Sequence, residues 1–60
     1  MKKYEEKIKT YELINTEGCL FKTINTTSFA LARREFNREF EGRYIILDST
    51  NNERKNVILR

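Results

Sequence analysis

One helical stripe constrains this chain more than any other feature. In the segment Ser28–Glu41, SFALARREFNREFE, residues Phe29, Ala32, Phe36 and Phe40 recur at i, i+3, i+7 and i+11. At about 100° per residue that spacing lines one side of a helix with apolar groups. Thr26, Thr27 or Ser28 supplies an N-cap hydroxyl. Gly42 follows directly and suits a left-handed residue after the last turn. No other stretch has a clear helical period, so one helix must serve the rest of the apolar sequence.

Before that helix, residues 4–14 read as a strand and Cys19 to Ile24 as a second. Between them, Asn15-Thr16-Glu17-Gly18 has the signature of a type I turn closed by a glycine, the three-residue hairpin loop. The turn predicts a register: Ile14 opposite Leu20, Leu13 opposite Phe21, Glu12 opposite Lys22 and Tyr11 opposite Thr23. After the helix, Arg43 to Asp48 and Arg54 to Arg60 form a second hairpin. A two-residue turn centred on Asn51-Asn52 would place Ile46 opposite Val57 and Asp48 opposite Lys55.

The expected fold class is therefore α+β: a four-stranded, mostly antiparallel sheet in β-β-α-β-β order with one helix packed on one face. Tyr11, Leu13, Cys19, Phe21, Tyr44, Ile46, Val57 and Leu59 share the parity of the face that beds the phenylalanines. The opposite parity holds Ile8, Ile14, Leu20, Ile24, Ile45, Leu47 and Ile58. A solvated antiparallel face should turn polar, and this one does not. An uncovered aliphatic face marks an interface, and a homodimer packed sheet on sheet is the simplest cover.

Composition narrows the functions. Sixty residues make one small domain, which buries only about 60% of its unfolded surface. Small folds are usually reinforced by a disulfide, a metal or a partner. One cysteine and no histidine remove the first two, leaving association. No cofactor is indicated. No apolar run reaches the ~20 residues of a membrane span, and MKKYEEKIK lacks the apolar core of a signal peptide. A cytoplasmic protein is expected.

Catalytic supply is poor. Asp48 and Ser28 have structural roles to fill, Cys19 has no base to activate it, and there is no glycine-rich phosphate loop. A non-enzyme is expected. On the outward side of the helix, Leu31 lies among Arg34, Glu35 and Arg38, the pattern of an apolar anchor with a charged rim. The net charge of +3 also permits nucleic-acid contact through Arg33, Arg34, Arg38, Arg43 and Lys55. Tiny α+β chains without catalytic residues are common among phage and mobile-element products, many of which act by occupying a host protein. By that analogy the chain reads as an accessory factor that binds a larger host or cognate protein, one that handles nucleic acid, and inhibits or regulates it. The alternative is a small dimeric nucleic-acid-binding protein.

Overall fold

Local signals build the elements in the expected order. The computed structural model describes residues 7–60, in which β1 (Lys9–Ile14), β2 (Leu20–Thr26), α1 (Phe29–Glu39), β3 (Gly42–Asp48) and β4 (Glu53–Leu59) follow one another. Positions 4–6, the expected start of the first strand, lie outside the described residues. The sheet order is β2-β1-β3-β4. Because β1 is antiparallel to both β2 and β3, those two run parallel with β1 between them. The connection joining them must cross β1, and α1 makes that crossing. One face of the sheet receives the helix; β2 and β4 are left as edges.

Ser28 starts the helix. Its backbone is extended, and its Oγ accepts the Leu31 N–H at 3.3 Å. The helix stops earlier than Gly42. Phe40 is already extended and serves as the C-cap, its N–H donating to the Phe36 carbonyl at 2.9 Å. Gly42 instead opens β3 with φ +120. A Cβ there would meet only ordinary contact with Tyr44, so this glycine is needed for its dihedral rather than for space.

The first hairpin keeps its predicted turn. The Gly18 N–H donates to the Asn15 carbonyl at 3.0 Å, Gly18 has φ +91, and the Asn15 side chain accepts from the Glu17 and Cys19 N–H groups. Next to the turn the register is as expected, Ile14 opposite Leu20. Beyond it a β-bulge intervenes, and Leu13 pairs with Lys22 while Tyr11 pairs with Ile24. The extra residue is Phe21, and the slip reverses the parity of everything after it. Ile24, expected on the uncovered face, lies opposite Tyr11 and packs against the core. Lys22 likewise turns to the helix side and pairs with Glu39 at 2.8 Å rather than with Glu12. Cys19 is exposed, not a core residue.

The second hairpin shifts by two residues. Asp48 pairs with Glu53, Ile46 with Lys55 and Tyr44 with Val57, across a four-residue loop, positions 49–52. Type I′ needs positive φ at both central residues. Here Asn52 has φ 59 and Asn51 is not among the positive-φ residues. The Asp48 carboxylate builds the longer loop. Its Oδ1 accepts from the Thr50 and Asn51 N–H groups at 3.0 and 3.2 Å, and its Oδ2 from Asn51 Nδ2 at 3.0 Å. A shift of two preserves side-chain parity, so the predicted faces of β3 and β4 survive the wrong register.

The core is the expected one. Tyr11, Leu13, Ala32, Phe36, Ile46, Val57 and Leu59 are buried, with Ile24, Phe29, Phe40 and Tyr44 packed against them. The end of β4 is tied to the helix. The Arg60 N–H donates to Asn37 Oδ1 at 2.8 Å, and the Arg60 guanidinium reaches the Asn37 carbonyl at 3.4 Å.

Candidate functional site

The helix turns its phenylalanine stripe inward, so its remaining sides are set by geometry. Arg33 and Asn37 flank the stripe towards β4: the Arg33 guanidinium donates to the Ile58 carbonyl at 3.5 Å, and Asn37 holds Arg60. Glu39 flanks it towards β2, where it meets Lys22. Arg34, Arg38, Leu31 and Glu35 complete the outer arc. All four are exposed, Leu31 by 42% of its surface. Glu35 reaches Arg38 at 3.9 Å, a long contact between exposed groups that is worth little. The proposed anchor and rim thus occupy one continuous solvent-facing strip.

The five cations proposed for nucleic acid do not share one surface. Arg33, Arg34 and Arg38 lie on the helix, and Lys55 joins them from the helix side of β4, its Nζ 4.8 Å from the Phe29 ring centroid. Arg43 pairs with Ile58 and points from the opposite face of the sheet. Arg60 takes its place at the helix, brought in by the Asn37 bond. Of the helix acids, Glu39 lies towards β2 and Glu35 on the outer arc.

On the sheet's far face, Ile14, Leu20, Ile45, Leu47 and Ile58 gather near the turn of the first hairpin. Ile58 and Leu20 are 64% and 56% exposed, and the other three are half-buried. Ile8 is also exposed. Six residues from Ile14, it lies about 20 Å along the strand, beyond Thr10 and Glu12. It is an outlier of the patch.

A small polar hollow of about 180 Å³ lies where the helix N-terminus meets the second hairpin, lined in part by Lys9, Tyr11, Ser28, Asp48, Glu53 and Lys55. Burial pushes the Tyr11 hydroxyl above its ordinary range, and the nearby Asp48 and Glu53 charges push it further. Burial pushes the Asp48 carboxyl up as well. It is outweighed by the hydrogen bonds from Asn51 and Thr50 and by the Lys9 charge, leaving the carboxyl below its usual range. A depressed carboxyl stabilises the fold above its unfolded value of about 3.9 and loses that contribution as pH falls through the folded value. Asp48→Asn is therefore expected to lower the thermal midpoint at neutral pH, with the gap to the wild type closing below about pH 4. Parallel melting curves down to about pH 2 check this; a constant gap would refute it. The hollow carries equal numbers of lysines and carboxylates among these residues, and the Asp48 carboxylate is engaged in the loop.

Among the described residues, no group of three or more His, Cys, Asp or Glu side chains is placed to hold a metal ion. No helix there is long and apolar enough to cross a membrane.

The expected aromatic bed is present, and two features beyond it escape a reading of the sequence. Phe21, Phe40 and Tyr44 form a ring cluster with centroids 5.5–5.9 Å apart, with Phe21 half exposed at its edge. Phe21 and Tyr44 thus lie on the face expected to bed the helix. Arg60 reaches the helix through Asn37, a contact 23 positions apart that no local pattern signals. Glu12 and Arg54 flank Leu47 across three strands, because β1 pairs with β3. Comparison of the chain with family models, curated proteins and solved structures gives no match.

Proposed function

We propose that this chain is a small non-enzymatic binding protein that docks on a larger host or cognate protein through the outer arc of α1. Leu31 is the anchor, with Arg34, Glu35 and Arg38 as its rim. In this reading the partner handles nucleic acid and is inhibited or regulated by the contact, as with many phage and mobile-element accessory factors. The observation that carries it is Leu31, a large aliphatic side chain 42% exposed beside the arginines and outside the core cluster. Cys19, an exposed thiol with no second cysteine to pair with, fits a reducing, cytoplasmic setting.

Leu31→Glu is the sharp test. It should fold normally, because residue 31 is on the surface, yet lose at least about tenfold in affinity for the partner, the effect of removing one hot-spot side chain. Competition binding of wild type and variant to the captured partner, with circular dichroism as the control, reads both. Unchanged binding by a folded Leu31→Glu protein would sink the proposal.

A second reading has its own support. Arg33, Arg34, Lys55 and Arg60 stand on the β4 side of the helix without an ion-pair partner among the described residues. Such a strip suits phosphates. It predicts binding to random duplex or single strands that weakens steeply with salt and is lost in Arg33→Glu/Arg34→Glu. Fluorescence anisotropy at low salt decides it, and an absence of binding there removes this reading.

A further inference from the structure

The far face of the sheet carries a charge pattern that is complementary to itself. One cross-strand row runs Thr23, Glu12, Leu47, Arg54 over β2, β1, β3 and β4. Neighbouring strands are about 4.8 Å apart, so Glu12 and Arg54 stand at equal distances on either side of Leu47. Neither has an ion-pair partner among the described residues. The adjoining row is Leu20, Ile14, Ile45, Asn56, aliphatic over three of its four positions.

We propose that a second copy of the chain covers β1, β3 and β4 on this face, related by a two-fold axis that runs along β3 between the two sheets. That axis stacks Leu47 on Leu47 and Ile45 on Ile45. It also sets each Glu12 over Arg54 of the other copy, so two ion pairs bracket the aliphatic centre. The charges choose among the possible axes. A two-fold axis across the strands through this row would oppose Glu12 to Glu12 and Arg54 to Arg54, which is repulsive. An axis along the strands but midway between β1 and β3 would seat Glu12 on Leu47 and bury a carboxylate without a partner. Of these three axes only the one over β3 sets Glu12 against Arg54, and that complementarity is why the occupant is another copy of this chain rather than an unrelated apolar surface. Arg43 lies four residues from Leu47 on β3. With sheets crossing at about −30°, its two copies are displaced from the axis at the end of the interface and reach water.

The dimer leaves the outer arc of α1 free, so its test is independent of the function proposed above. Sedimentation of the purified chain between about 1 and 100 µM measures the dimer. The wild type should dimerise within that range. Glu12→Arg and Arg54→Glu should each weaken dimerisation at least about tenfold, because each places like charges across the interface. The double variant Glu12→Arg/Arg54→Glu restores both pairs with their signs exchanged and should dimerise within about threefold of the wild type. Both positions are on the surface, so the single variants should keep their circular dichroism. A wild type that stays monomeric throughout, leaving the face to some other protein, overturns the proposal. So does a double variant no better than the singles.

Discussion

Phe36→Ala is expected to remove at least about a third of the stability of this fold. A chain of this size has a total stability of roughly 3–9 kcal/mol. Truncating a fully buried phenylalanine costs about 3–5 kcal/mol, through lost transfer free energy and the cavity left behind. Phe36 is fully buried and sits at the middle of the only apolar stripe the helix has, between Ala32 and Phe40. Among the described residues α1 is the one helix on the sheet, so no neighbouring helix leans into the cavity. Leu31→Ala is the internal control. It keeps helix propensity, removes an exposed side chain and should change stability by no more than about 0.5 kcal/mol. Urea unfolding followed at 222 nm compares the two. A Phe36→Ala protein with a midpoint close to that of the wild type would mean that the helix is not the lid of this core.

That contrast was legible from the sequence, because helix period and cap chemistry are local. Ser28, Phe29, Ala32, Phe36 and Phe40 announce a face before any tertiary contact is known. The strand faces were legible for a different reason: parity is robust. The second hairpin is two residues out of its expected register, yet Tyr44, Ile46, Val57 and Leu59 still face the helix. In the first hairpin the error is odd, one residue, and so it matters. The bulge at Phe21 moves Ile24 into the core and Lys22 beneath Glu39. No turn or cap residue marks a bulge of this kind, and a β-branched residue such as Ile24 fits either face. The pairing of β1 with β3 joins segments more than thirty positions apart. The charge row at Leu47 depends wholly on that pairing, so neither Glu12 nor Arg54 could be singled out beforehand. Asp48 was placed at the right strand end but given the wrong partner. A carboxylate close to free backbone N–H groups prefers those fixed donors to a flexible lysine, which must give up side-chain entropy to meet it.

The adjacent residues Leu13 and Ile14 separate the two faces of β1, and substituting each by alanine should give opposite concentration behaviour. Leu13 is fully buried, with Lys22 on one neighbouring strand and Ile46 on the other. Leu13→Ala should cost about 2–5 kcal/mol. That cost belongs to the fold of one chain, so it should be the same at every protein concentration. Ile14 points to the far face, opposite Leu20 and Ile45, and is half-buried in the single chain. Ile14→Ala should cost about 1 kcal/mol or less when the protein is dilute. A second copy on this face adds stability by mass action, and that gain rises with concentration. Ile14→Ala weakens the contact, so its deficit in melting temperature should widen as concentration rises. Melting series for both variants across about two decades of concentration read the difference. A deficit for Ile14→Ala that stays flat would show that the aliphatic face contributes nothing beyond the single chain. A deficit for Leu13→Ala that changes with concentration would place that residue at the interface rather than in the core.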